Sequence, residues 1–181
     1  MKQKLIMLSI VIFIGSMAFG QDRLTVSTMK MGPFKLQMNK LDVEKILNQK
    51  IVFKLGENEY LKTADVNYKD YLLKFMFQSM TESNNPDSLE VYSISTKVVR
   101  IKTLSGLGIG NTKLDLFNAY SDKYDVSLYS AYEYNYTTEK HIKVPETRTF
   151  SLSDNDLYTQ LQFTLVNNFV TEITVSVNEG D

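Results

Sequence analysis

The alternation of apolar and polar positions divides the chain into short elements. An opening apolar run, Leu5–Ile14, is preceded by Lys2 and Lys4 and followed by Gly15-Ser16-Met17-Ala18-Phe19-Gly20. Beyond it, Leu24–Met29 alternates as a half-buried strand does. Gly32-Pro33 breaks the chain, and Phe34 and Leu36 alternate toward Asn39. Asn39 is a helix cap with Asp42 three residues on, near the positive helix end, and the spacing predicts a helix from about Lys40 to Asn48. Val43, Ile46 and Leu47 form its apolar stripe, and Asn48 is suited to a left-handed cap. Ile51–Leu55 reads as a strand or strand-like return, Gly56–Glu59 as a polar loop, and Tyr60–Lys69 fits no single pattern. Leu73–Phe77 alternates, the breaker cluster Thr81–Ser88 predicts a long loop, and Leu89–Thr96 returns, so an antiparallel pair is expected.

The second half replays this order. Gly108-Ile109-Gly110 leads to Thr112-x-x-Asp115, a near capping box, and to the helical stripe Leu116, Ala119 and Tyr120. Leu161–Leu165, a turn at Val166–Phe169 and Val170–Val177 alternate strictly and predict a hairpin. Lys40-Leu41-Asp42 is repeated as Lys113-Leu114-Asp115, 73 residues downstream, and Val91-x-x-Ile94 as Val170-x-x-Ile173. An α+β fold of two similar units follows, each a short helix packed on an antiparallel β-sheet: a leader at 1–20, one unit at 21–100 and a second at 101–181. The second unit holds an insertion, Tyr124–Ser151, rich in tyrosine.

A small polar cap, a charged residue and an apolar helix followed by a hairpin, repeated in tandem, resembles the β-lactamase-inhibitor-protein-like architecture of exported bacterial proteins. Members of that group usually carry Gly-Met-Thr at the helix start, where this chain has Gln37-Met38-Asn39 and Gly110-Asn111-Thr112. Neither helix here ends in the glycine usual in the group. The resemblance implies a binding or envelope-assembly role and no catalysis; a few members of the architecture inhibit enzymes.

Composition narrows this further. The basic start, an apolar run too short for a bilayer, and the small residues Ala18 and Gly20 are the pattern of a signal peptide cleaved before Gln21, so a periplasmic or extracellular destination is expected, with no integral membrane segment after cleavage. A net charge of −1 disfavours nucleic-acid binding, which needs a basic field. With no cysteine, an exported chain of this length is stabilised by burial rather than disulfides, and thiol chemistry is excluded.

Candidate chemistry is thin. His141 is the single histidine, no nucleophile-elbow spacing surrounds Ser127 or Ser130, and multi-histidine metal sites are excluded by count. Asp154-Asn155-Asp156 and Glu82–Asp87 offer oxygens without a calcium-loop register, and turn roles are the simpler reading. Gly106–Gly110 lacks the phosphate-loop registers, so its glycines serve backbone bending. Asn135-Tyr136-Thr137 is formally a glycosylation sequon. No cofactor is implied. The alternative to a binding role is an exported hydrolase using carboxylates of the 124–151 insertion, Glu133, Glu139 and Glu146. The leading candidate surface is Tyr129, Tyr132, Tyr134 and Tyr136, with the last three on one strand face opposite Glu133 and Asn135 and another envelope or extracellular protein as partner. The competing reading has these tyrosines covering core.

Overall fold

The computed structural model describes residues 24–54, 61–79, 88–135 and 137–178. The expected leader, the loop Gly56–Glu59, residues 81–87 of the breaker cluster and Tyr136 lie outside the described residues. In chain order the elements are β1 (Thr25–Val26), β2 (Lys30–Met31), β3 (Phe34–Lys35), α1 (Lys40–Leu47), β4 (Leu61–Tyr68), β5 (Tyr71–Ser79) and β6 (Leu89–Thr96). They continue as β7 (Lys102–Thr103), α2 (Lys113–Tyr120), β8 (Asp125–Asn135), β9 (Lys140–Asp154), β10 (Thr159–Val166) and β11 (Phe169–Val177). The class is α+β.

Both helices begin where their caps dictate. Asn39 Oδ1 accepts from the Leu41 amide at 2.8 Å, and the chain leaves α1 through Asn48 in the left-handed conformation (φ 51°). At α2 the capping box is complete: Thr112 Oγ1 accepts from the Asp115 amide at 3.2 Å, and Asp115 Oδ2 accepts from the Thr112 amide at 2.8 Å. A cap of this kind contributes about 1 kcal/mol. The bond from the Thr112 amide, the largest cause, and those with the Thr112 and Asn111 side chains outweigh desolvation and hold the Asp115 carboxyl below its ordinary range.

The strands form a seven-stranded sheet in the order β4-β5-β6-β11-β10-β9-β8 and a four-stranded sheet in the order β3-β2-β1-β7. All pairings of the large sheet are antiparallel, whereas β1 and β7 run parallel. Alternation decides which face is covered. Tyr71, Leu73, Phe75 and Phe77 of β5 and Leu161, Phe163 and Leu165 of β10 are buried, while the residues between them are exposed or half-buried. The helices and the small sheet lie on this apolar face. Phe117 of α2 meets Phe150 edge-on at 5.1 Å, Tyr120 stacks over Phe163 at 6.3 Å, and Phe34 meets Phe75 edge-on at 5.1 Å. One core therefore runs across both halves, joined by the β6–β11 and β1–β7 pairings.

The repeated sequence stretches occupy matching places. Lys40 and Lys113 each open an eight-residue helix, and the residue three before each, Gln37 (φ 61°) and Gly110 (φ 87°), is left-handed. Gln37 N donates to Val91 O and Val91 N to Met38 O; Gly110 N donates to Val170 O and Val170 N to Asn111 O. The four bonds span 2.7–2.9 Å and tie each helix start to the last strand of its own half.

Three segments take a form that their sequence pattern left open. Ile51–Lys54 is not a strand, because its backbone meets β4 through a bond from Lys54 N to Thr63 O (3.0 Å) while Phe53 turns in against Phe77 and Val52 stays exposed. Tyr60–Lys69, ambiguous in sequence, contains the edge strand β4. The stretch 24–29 supplies only the two residues of β1 before the chain turns, with Ser27 N donating to Lys30 O.

Candidate interaction surface

The insertion of the second half folds as one long hairpin, β8–β9. Val126 and Leu128 are half-buried on the core side, and Asp125–Ser130 pairs with Arg148–Ser153, which in turn pairs with β10. Beyond this the regular ladder is interrupted. Four residues of β9, Val144–Thr147, stand opposite the single Ala131 of β8. Pro145 has no amide to give a ladder and Glu146 sits at φ 55°, its carbonyl accepting from Asn167 N at 3.1 Å. Past this irregular root, Tyr132–Asn135 pairs only with Lys140–Lys143, and β10 does not reach alongside. Asn135 Oδ1 closes the tip by accepting from the Thr137 and Thr138 amides at 2.9 and 3.0 Å. The distal hairpin is thus a two-stranded arm exposed on both faces.

Side-chain period and register assign its faces. Tyr132 lies opposite Lys143, and Tyr134 opposite His141 with the rings edge-on at 5.3 Å; antiparallel partners share a face, so aromatic and basic groups are interleaved there. Glu133 and Ile142 pair on the other face. Tyr132 is 59% and Tyr134 43% exposed, so neither is core. Tyr129 stands apart, before the interruption, on the outer face of the sheet, where its hydroxyl accepts from Gln162 Nε2 at 2.9 Å. Partial burial, working against a hydrogen bond with Thr149, pushes its phenol up from the ordinary value. Tyr136 lies outside the described residues, so the expected three-residue ladder is described for Tyr132 and Tyr134. Sequence reading missed Lys143 and Ile142 as members of these faces, since only the cross-strand register joins them to the tyrosines.

The other candidates take structural positions. Glu133 lies on β8, Glu139 in the tip turn and Glu146 in the irregular stretch of β9, all exposed. Glu146 lines a cavity of about 150 Å³ with Lys143, Thr147, Arg148, Leu165 and Asn168, which holds no second carboxylate. His141 is four rungs along the hairpin from Ser130, roughly 14 Å at about 3.4 Å per residue. At the base of the hairpin, Asp122, Asp125, Asp154 and Asp156 border a pocket of about 630 Å³ with Thr28, Lys123 and Tyr124. There Asp154 Oδ1 accepts from Leu157 N at 3.2 Å, a turn-forming role, and Asn155 Nδ2 donates to Asp125 Oδ2 at 3.1 Å, tying that turn to the start of β8. Among the described residues no group of three or more histidine, aspartate or glutamate side chains is arranged to hold a metal ion. A side chain at Gly108 would meet the Ile101 carbonyl at 2.7 Å, so this glycine permits the close turn into α2.

No family model, curated protein or solved structure matches the chain. No helix among the described residues is long and apolar enough to cross a membrane. What the described part of the hairpin arm offers chemically is contact: two rigid phenols, an imidazole and an ammonium on one face.

Proposed function

We propose that the chain is a non-catalytic exported binding or envelope-assembly protein that contacts another envelope or extracellular protein through the β8–β9 arm. The observation that carries this reading is the arm's own composition: Tyr132 and Tyr134 stand exposed beside His141 and Lys143 on a hairpin whose described residues past Ser130 are exposed or half-buried. Tyrosine gives large amphipathic contact area at low conformational cost, and basic groups beside it add steering. The matched helix starts, left-handed residues and backbone ties of the two halves support a tandem arrangement of the β-lactamase-inhibitor-protein-like kind, with the arm as an addition to the second half.

The test is retention of a partner from cell-envelope extract by immobilised protein, wild type against Tyr132→Ser/Tyr134→Ser. Both sites are exposed, so the variant keeps the wild-type circular dichroism. Loss of a partner that wild type retains supports the arm as the contact; equal retention, or no partner for either protein, counts against it.

A further inference from the structure

The interruption at the root of the arm leaves a cavity. Because Val144–Thr147 stand opposite Ala131 alone, the chain bows out of the ladder there, and the Glu146 carbonyl, accepting from Asn167 N at 3.1 Å, pins the bow to the β10–β11 turn. Glu146 at φ 55° and Asn168 at φ 68° shape the two sides of the gap. Between them lies the space of about 150 Å³, lined by Lys143, Arg148, Asn168 and the carboxylate of Glu146, together with the buried Leu165.

Two cations share this space. Arg148 pairs in register with Leu165 and Ser130, and Lys143 with Tyr132; Ser130 and Tyr132 lie two apart on β8, so both cations belong to one face of the hairpin. Among the described residues neither side chain forms an ion pair or a hydrogen bond, and Glu146, though it borders the same cavity, is paired with neither. Like charges facing one small space repel, and an anion between them relieves the repulsion. The buried Leu165 keeps water from one side, which strengthens such a contact. An apolar cavity of this volume holds a ligand of roughly six heavy atoms, so this polar one suits a single small oxyanion.

We infer that this cavity is a binding site for a single carboxylate group. The planar guanidinium of Arg148 matches a carboxylate in bidentate geometry, and the Lys143 ammonium adds a point charge. Two cations against Glu146 leave the lining one positive charge in excess, which a carboxylate neutralises and a doubly charged phosphate overshoots. The carboxylate belongs to a small free acid or to an acidic side chain of a polypeptide. The site is defined by its own lining and does not depend on a protein partner for the tyrosines.

The test is proton–nitrogen NMR of the isotopically labelled protein titrated with sodium acetate, against sodium chloride at equal ionic strength. Acetate shifts the amide signals of Lys143, Arg148 and Asn168 saturably, and chloride does not. Arg148→Gln, at an exposed position where the change leaves the fold intact, raises the acetate dissociation constant roughly tenfold, and Lys143→Gln, also exposed, roughly threefold. Glu146→Gln strengthens the binding of phosphate more than that of acetate. A blocked Gly-Asp-Gly peptide that binds more tightly than acetate assigns the carboxylate to a polypeptide; acetate binding as tightly or more tightly assigns it to a free acid. No saturable shift at the cavity overturns the inference. So do affinities unchanged in both Arg148→Gln and Lys143→Gln, or tighter binding of phosphate than of acetate by wild type.

Discussion

Glu44 offers the sharpest test of how the first half is held. Its carboxylate is 7% exposed on α1, and the chain that leaves the helix is fastened to it: Oε2 meets Lys50 Nζ at 2.8 Å and Oε1 accepts from the Ile51 amide at 3.0 Å, with Lys40 Nζ at 3.7 Å one turn earlier. Burial works against the charge, but the hydrogen bonds from Lys50 and Ile51 and the ammonium charges of Lys40 and Lys50 prevail and hold the carboxyl below its ordinary 4.5. A hydrogen bond from an amide to a carboxylate contributes about 1.5–3 kcal/mol. The Lys50 side chain is 82% exposed, so its share is screened to less than about 1 kcal/mol. Glu44→Ala therefore costs roughly 2–4 kcal/mol, and Glu44→Gln, which keeps an acceptor for Ile51 without the charge, roughly 1–2 kcal/mol. The assay is urea unfolding of wild type and Glu44→Gln across the acid range. A pKa lowered by folding contributes stability that is complete above the unfolded value and is lost as pH falls through the folded one. The gap between the proteins is therefore widest at neutral pH and shrinks below about pH 4.5. A gap that stays constant with pH, or no gap at neutral pH, refutes the assignment.

Three further outcomes follow from the same structure. Gly110→Ala destabilises by roughly 1–2 kcal/mol because its φ of 87° disfavours a Cβ, while Gln37→Gly, at the matching place, stays within about 0.5 kcal/mol of wild type or is more stable; chemical denaturation of the two variants reads the difference. Thr112→Ala removes the side-chain half of the capping box and lowers stability by about 1 kcal/mol, seen as an earlier denaturant midpoint with unchanged slope. Phe163→Ala opens a cavity between α2 and the sheet and costs about 3–5 kcal/mol, whereas a loss under about 1 kcal/mol on thermal or denaturant unfolding contradicts its place in the core.

The helices were legible because their instructions are local. Asn39, Asn48, Thr112 and Asp115 each act within a turn of their own position, and all four take the roles their spacing implies. The last hairpin was legible for the same reason: Asn167 and Asn168 both adopt positive φ, as a two-residue turn between β10 and β11 requires. What depends on distant partners was hidden. Two-residue strands such as β7 have no period to detect, and the β1–β7 pairing joins residues from opposite halves of the chain. Ile51–Lys54 has strand-like composition, yet Phe53 is spent on the core and, among the described residues, the segment meets β4 through the bond from Lys54 N to Thr63 O. The insertion stood out by its tyrosines, but the break at Ala131, which separates Tyr129 from Tyr132, is visible only once Val144–Thr147 lies against it.

The parallel pairing of Thr25 and Val26 with Lys102 and Thr103 bears on the order of events during folding. Its two strands lie about 77 residues apart in the chain, and closing such a span costs entropy before any contact repays it. Helix starts and hairpins can form early from neighbours, but the small sheet is completed only after the first residues of the second half have arrived. The beginning of the folded chain is therefore among the last parts to lock, and an amide exchange experiment during refolding would find Val26 protected after the β10–β11 hairpin.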